Sequence, residues 1–159
     1  MKEILEILEG NARLTAAEIA VMTGKPEKEV RDAIAGLENS GVILGYRAMV
    51  NWDRTEKEFV TALIEVRLTP QRDKGFDSIA ERIYKYPQVK ACHLMSGSYD
   101  LSVVVEGSSL KEVAMFVSEK LAVIDGVLST ATHFVLKKYK DGDIMFEGTE
   151  KDDREAIVL

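Results

Sequence analysis

The sequence lacks the features of a membrane, secreted or disulfide-stabilised protein. No run approaches the roughly 18 apolar residues that a membrane helix needs. An acid as early as Glu3 argues against a secretory leader. The single cysteine, Cys92, cannot form an internal disulfide, which favours a reducing compartment. We therefore expect a cytoplasmic protein whose stability comes from an apolar core.

A basic domain is also lacking. The 159-residue chain carries 21 basic and 27 acidic side chains, which gives a net charge of −6. Residues 1–53 contain six basic and nine acidic side chains and the remainder 15 and 18, so each part contributes −3. Phosphate contacts need local positive charge, which an acidic protein can supply from one face. Any binding of nucleic acid must therefore rely on a small cluster of cations.

Common catalytic motifs are absent as well. The chain contains no Gly-rich phosphate loop, no HExxH and no GxSxG. His93 and His133 fall on the second and fourth predicted strands, which are opposite edges of a ferredoxin-like sheet. Cys92 has no CxxC partner and is interpreted as a half-buried structural thiol. We expect no catalytic residue, no metal ligand, no cofactor and no enzymatic activity.

What is present begins with three short helices in residues 1–53. Thr15-Ala16-Ala17-Glu18 predicts a capping box at the start of the second helix. Gly24 is typical of that helix's end, because glycine tolerates the left-handed conformation. Pro26 suits the first turn of a third helix, which Gly41 ends. The apolar stripes of the first and third helices are made by Ile4, Leu5, Leu8, Val30, Ile34 and Leu37.

A wing and a linker follow the three helices. Val42–Val50 predicts a pair of strands broken at Gly45, so residues 1–53 are predicted to form a winged helix-turn-helix. Residues 54–58 are predicted to be a short linker. Residues 141–159 form a charged tail, in which Ile144–Phe146 could add a short strand and the apolar end could dock onto a partner subunit.

Residues 59–140 alternate between strand and helix periodicity. The predicted elements are a strand at 60–68 ended by Pro70, a helix at 76–84 closed by Pro87, strands at 89–95 and 99–106, a helix at 109–126 and a strand at 127–138. The second helix is expected to begin with a capping box at Ser109–Glu112, to end at Gly126 and to bury Leu110, Val113, Ala114, Val117 and Leu121. The fold class is therefore α+β, with a ferredoxin-like βαββαβ (RAM/ACT-like) domain.

The third helix is the candidate DNA-reading element. In a helix-turn-helix the second of the two helices lies in the major groove and its N-terminal residues meet base edges. The candidate contacts are Lys25, Lys28, Glu29 and Arg31, with Arg47 from the wing. Glu29 could accept a hydrogen bond from cytosine N4. A three-helix domain that binds only protein remains an alternative, because this basic footprint is thin.

A second candidate site lies at the turn between the predicted second and third strands. Its residues are Ser96, Gly97, Ser98, Tyr99 and Asp100. Exposed backbone N–H groups could hold a carboxylate, and Asp100 could accept from an ammonium group, which is the chemistry needed to bind a free amino acid. Thr130 and Thr132, on one face of the last strand, could add hydroxyl contacts. An ordinary solvated turn is the alternative.

Taken together, the arrangement resembles the Lrp/AsnC family of feast/famine regulators. The likeness spans roughly residues 1–140, and its most specific part is LE-x-x-GVI-x-GY followed about fifty residues later by G-x-YD. The residues that carry it are Ala12–Thr15, Leu37–Tyr46, Ser96–Asp100 and Gly126–Thr132.

The resemblance implies a transcriptional regulator of amino-acid metabolism. Such proteins dimerise through the ferredoxin-like domain, often assemble into octamers and bind an amino acid between those domains. The effector would contact the Ser96–Asp100 turn, with Thr130 and Thr132, and double-stranded DNA would contact the helix beginning at Pro26.

The chain departs from this family at the third helix. The family usually has small hydroxyl residues near its start and arginines further along, where this chain has Lys28 and Glu29, then Asp32 and Ala33. An amino-acid-sensing oligomer that acts on a protein partner without binding DNA is therefore the competing interpretation. The related sirohaem decarboxylases are disfavoured, because their histidine- and arginine-rich motif is absent.

Overall fold

The computed structural model describes residues 1–69 and 75–146, which fall into two compact units. The first unit is Met1–Val50 and the second begins at Asn51. Pro70, predicted to end a strand, and residues 147–159, which include the apolar end of the chain, lie outside the described residues.

Three helices form the first unit: α1 (Lys2–Gly10), α2 (Ala16–Thr23) and α3 (Glu27–Asn39). Their inward faces meet in a small core, because apolar residues recur at helical spacing on each of them. The buried members of that core are Ile4, Leu8, Ile19, Ala20 and Val30. No helix within 1–69 or 75–146 combines the length and apolarity required to cross a bilayer.

The predicted capping of α2 is confirmed at both ends. The Glu18 backbone N–H donates to Thr15 Oγ1 at 3.3 Å, and the Thr15 backbone N–H donates to Glu18 Oε2 at 2.7 Å. That second bond is the main reason why the pKa of Glu18 lies below its ordinary value. Gly24 ends the helix with φ 67°, a left-handed conformation that costs glycine little.

The strand pair predicted for Val42–Val50 was wrong for this structure. Val42 and Ile43 form a bend, and residues 44–50 belong to no helix or strand. The backbone N–H groups of Val42 and Ile43 both donate to Leu37 O, which closes the end of α3 rather than starting a ladder. A short hairpin with no third strand gains too little to form alone.

The second unit carries the predicted βαββαβ order. After a 3₁₀ turn at Trp52–Arg54 come β1 (Val60–Leu68), α4 (Asp77–Tyr84), β2 (Val89–Leu94), β3 (Leu101–Gly107), α5 (Leu110–Phe116) and β4 (Val127–Phe134). The sheet is antiparallel with the order β2-β3-β1-β4, so the prediction that the second and fourth strands are opposite edges is confirmed.

The core of this unit lies on one face of the sheet, beneath α4 and α5. Ala62, Ile64 and Val66 alternate along β1 and pack with Ile79 and Ile83 of α4. Two neighbouring pairs of opposed residues, Ile64–Val103 and Val66–Leu101, continue the same face onto β3. The other face of the sheet is not covered by these helices.

Three details of the α5 prediction were wrong. Leu110 and Ala114 are exposed, because the buried face of this helix runs through Val113, Phe116, Val117 and Leu121. α5 gives way to a π-helical turn at Val117–Leu121, and the helical segment is capped by Ala122 rather than by Gly126. The predicted end at Gly126 assumed a constant period of 3.6 residues, which does not anticipate a π-turn.

Only half of the second capping box forms at Ser109. The Glu112 N–H donates to Ser109 Oγ at 3.1 Å, as expected. The Glu112 carboxylate, however, accepts from the Ser108 side chain and backbone, which lowers its pKa.

A two-stranded sheet follows β4. In it, Lys140–Asp141 (β5) pairs with Ile144–Met145 (β6), close to the predicted strand at Ile144–Phe146.

Candidate functional site

In the first unit, α2 and α3 are joined by the tight turn Gly24–Pro26, the geometry of a helix-turn-helix. Val30 and Leu37 of α3 are buried, so residues on the opposite side of the helix face outward. Lys28 and Asp32, four positions apart, lie near the centre of that outward side. Pro26 stands at the N-cap, one position before the helix, where its missing N–H costs nothing.

Two of the predicted DNA-contacting side chains, those of Lys25 and Arg31, form ion pairs with carboxylates of α3. Lys25 Nζ lies 2.9 Å from Glu29 Oε1, and this bond is the main reason why the pKa of Lys25 is raised. Arg31 pairs with Glu27 across one helical turn. Lys28 has no ion pair within the part of the chain that the structure describes. The segment from Lys25 to Asp32 therefore carries three cations and three carboxylates, a net charge of zero.

Arg47 lies in the wing segment, residues 42–50, and is exposed. The residue before it fixes that segment, because the Tyr46 hydroxyl donates to Glu38 Oε1 on α3 at 2.9 Å. Partial burial and this bond raise the pKa of Tyr46. We did not predict this hydrogen bond. Glu38 and Tyr46 both belong to the LE-x-x-GVI-x-GY motif, which is the sequence signal that could have indicated it.

The turn at Ser96–Asp100 connects β2 to β3 at one end of the sheet. Ser96, Gly97 and Ser98 are exposed, whereas Tyr99 and Asp100 are half-buried. Gly97 has φ 152°, a conformation that a side chain would strain. The turn is closed by a bond from the Met95 N–H to Asp100 O at 2.8 Å. Its exposed part therefore offers backbone groups and hydroxyls to a ligand.

Asp100 forms two hydrogen bonds with the backbone of β1. Its Oδ2 accepts from the Leu68 backbone N–H at 2.7 Å, and its own N–H donates to Val66 O at 3.0 Å. Leu68 follows a break in the β1–β4 register, so the carboxylate pairs an N–H beside an irregularity in the ladder. Asp100 thus fastens the turn to the end of β1. The alternative interpretation, an ordinary solvated turn, therefore does not describe Asp100.

Thr130 and Thr132 are half-buried on the same face of β4, as predicted. They lie opposite Val66 and Ile64 of β1, on the helix-covered side of the sheet. β1 stands between them and the Ser96–Asp100 turn, and two strand spacings amount to roughly 10 Å. The structure brings the threonines to the same end of the sheet as the turn without placing them beside it.

The uncovered face of the sheet holds both histidines. His133 Nε2 on β4 lies 3.4 Å from Glu65 Oε1 on β1, while His93 on β2 lies opposite Ser102 of β3. Two strands separate the histidines, and no group of three potential metal ligands occurs in residues 1–69 and 75–146. Cys92 is half-buried, and burial raises the pKa of its thiol.

Two family models match the chain. The winged helix-turn-helix DNA-binding model covers residues 1–43, and the Lrp/AsnC ligand binding domain covers residues 61–145. The first match contains α1, α2 and α3, and the second contains the four-stranded sheet except Val60, together with the Ser96–Asp100 turn.

Individual proteins agree with the two models. An uncharacterized HTH-type transcriptional regulator of Bacillus subtilis, YugG, is 50% identical over 98% of this chain and 94% of its own. A proline dehydrogenase transcriptional activator of Rhodobacter capsulatus is 29% identical over 86% and 88%. The structure of Escherichia coli AsnC superposes with a TM-score of 0.69, at 25% identity over 89% and 93%.

Proposed function

The chain belongs to the Lrp/AsnC family of DNA-binding transcriptional regulators, and from that premise we propose that it controls genes of amino-acid metabolism in the cytoplasm in response to a bound amino acid. The observation that carries the proposal is the joining of a helix-turn-helix to a sheet whose β2–β3 turn offers donors and acceptors at one end. We propose no catalytic activity for either unit.

In the proposed complex with double-stranded DNA, α3 lies in the major groove. Lys28 is the central cation of its outward side, with Lys25, Glu29 and Arg31 beside it, and Arg47 contacts the backbone from the wing. Because few cations are available, each dimer is expected to bind modestly. Assembly of dimers on repeated sites would then supply the remaining affinity.

The proposed effector site is built around the Ser96–Asp100 turn. Exposed N–H groups and hydroxyls of the turn would hold the ligand carboxylate, and Asp100 Oδ1 remains able to accept from its ammonium group. Within one copy, β1 lies between the turn and the two threonines. Thr130 and Thr132 are therefore the most distant of the proposed effector contacts. The similarity to an activator of proline dehydrogenase supports an amino-acid signal.

A second copy of the chain is the proposed partner of the uncovered sheet face. Leu63 and Val104 are an opposed, half-buried apolar pair at its centre. Glu65 and the two histidines surround them, so a two-fold copy can oppose carboxylate with imidazole. A sheet face that has an apolar centre and is not covered by the helices of its own unit is stabilised by such packing. The proposed state is a homodimer that can assemble further, up to an octamer.

The test is DNA binding to the protein's own upstream region at about 100 mM salt, titrated with each of the twenty amino acids. We expect a specific complex whose affinity or stoichiometry changes with one or two amino acids. Arg31→Ala should weaken DNA binding and leave amino-acid binding unchanged. No specific complex under any condition would contradict the proposal and favour a protein partner.

A further inference from the structure

The charge arrangement of α3 is unusual for a surface that meets phosphate. Of the three cations between Lys25 and Arg31, Lys25 in the preceding turn pairs with Glu29, and Arg31 on α3 pairs with Glu27, at four-residue spacing in each case. All four side chains are exposed to a substantial degree, between 36% and 68%. The pairs are therefore weak and easily exchanged for other partners.

When the cations leave these ion pairs to contact phosphate, the two carboxylates lose their partners and remain nearby. When Lys25 or Arg31 turns to a phosphate, Glu29 or Glu27 stays on the same helical turn, close to the same phosphate. The carboxylates thus oppose every complex that depends on phosphate contacts alone. A carboxylate that faces a base is different, because the amino group of cytosine can donate to it.

On the basis of the proposed DNA-binding function, we propose that Glu27 and Glu29 are specificity-determining residues. They pair with Arg31 and Lys25 and repel phosphate, and so they suppress binding to DNA of arbitrary sequence more than binding to the operator. Non-specific complexes depend almost wholly on phosphate contacts, whereas an operator complex also has base contacts.

The experiment measures the affinity of the full chain for a random-sequence duplex. Glu27→Gln, Glu29→Gln and the double variant remove charge and keep the size and hydrogen-bonding ability of the side chain. We expect the affinity to rise about fivefold for each glutamate, the change given by one pair of charges about 4 Å apart in water. The slope of log K against log salt should steepen by about 0.9 for each cation released.

Glu81→Gln is the matched control. Glu81 on α4 pairs with Lys85 at 2.6 Å with the same four-residue spacing, and the change in net charge is the same. It lies in the second unit, outside the helix-turn-helix. We expect this variant to bind the random duplex within about twofold of the parent chain, with an unchanged salt slope.

A double-mutant cycle identifies the pairing itself. Lys25→Gln should reduce affinity for the random duplex little in the parent chain and more in the Glu29→Gln background, because only there is the ammonium group free for phosphate. Equal losses in both backgrounds would overturn the role of the Lys25–Glu29 pair.

The remaining outcomes are equally decisive. If Glu27→Gln and Glu29→Gln tighten random-DNA binding no more than Glu81→Gln, or only destabilise α3 by circular dichroism, the carboxylates merely stabilise the helix N-terminus and the inference is wrong. Operator binding by the parent chain would then still support the proposed function. If the double variant binds random DNA more weakly than the parent chain, the inference is wrong, and if the parent chain also binds no DNA, the DNA-binding proposal fails with it.

Discussion

The contacts that fix the two candidate sites join residues at very different separations in the sequence. At the start of α3, Lys25 in the preceding turn and Arg31 in the helix contact partners four residues away. In the β2–β3 turn, Asp100 bonds to Leu68, which lies 32 residues earlier. The first site is therefore organised by its own helix, whereas the second requires the sheet to be assembled.

This difference predicts different responses to damage. A site organised within one helix keeps its geometry as long as that helix forms. A turn tied to the end of a central strand depends on the packing of that strand against its neighbours. Perturbing the sheet should therefore disturb the turn, and perturbing the three-helix core should not.

The largest effect is expected from truncation in the sheet core. Ile64→Ala at a fully buried position of β1 should cost roughly 2–5 kcal/mol of unfolding free energy. Trp52, the single tryptophan, lies in the second unit and reports its unfolding by fluorescence. The denaturant midpoint of the fluorescence transition should fall.

Ile19→Ala is the matched change in the first unit, since Ile19 is equally buried. It should lower the stability of the helices by circular dichroism and leave the Trp52 transition and amino-acid binding in place. A loss of amino-acid binding in Ile19→Ala as large as in Ile64→Ala would contradict the prediction that the turn depends on the sheet and not on the three-helix core.

A smaller effect is expected at Asp100. Asp100→Ala leaves the Leu68 N–H without its acceptor, which should cost about 1–3 kcal/mol of stability in urea unfolding and weaken amino-acid binding by calorimetry. Asp100→Asn keeps an acceptor oxygen and should recover most of the stability.

The two Asp100 variants also separate a fastening role from direct contact with the ligand. If Asp100→Asn binds the effector as the parent chain does, the residue acts by holding the turn on β1. If it is as stable as the parent chain but binds tenfold to hundredfold more weakly, the charge contacts the ligand ammonium group.

The smallest effect is the response of the two helix caps to acid. The pKa values of Glu18 and Glu112 are both below the ordinary value of 4.5, so each carboxylate contributes stability that is complete above pH 4.5. That contribution is lost as pH falls through the lowered value.

Glu18→Gln and Glu112→Gln should each make stability less dependent on pH between 5 and 3, in the unit that carries the residue. Urea unfolding by circular dichroism and by Trp52 fluorescence separates the units. An unchanged pH profile in Glu18→Gln would mean that the reciprocal capping bond contributes nothing in solution.

The reach of the contacts also explains what could be predicted from the sequence. The Thr15–Glu18 box, the end of α2 at Gly24 and the period-2 pattern of β1 depend on neighbours in the chain, and all three were predicted correctly. The strand order was predicted because the βαββαβ pattern restricts it.

The errors have local and non-local causes. The π-turn at Val117–Leu121 interrupts the regular helix before the predicted end at Gly126, and the Glu112 carboxylate accepts from Ser108 instead of Ser109, two local alternatives that the period and capping rules do not distinguish. The bond from Leu68 to Asp100 depends on which strands are neighbours in space, so turn composition alone could not reveal it.

The single thiol has a practical consequence for these experiments. Because Cys92 is half-buried and burial raises its pKa, little of it is the reactive thiolate at neutral pH. A cysteine introduced at an exposed position of either unit will therefore be alkylated first. The natural chain can thus carry a fluorophore or spin label at one chosen site, and its motion can be followed during ligand and DNA binding without removing Cys92.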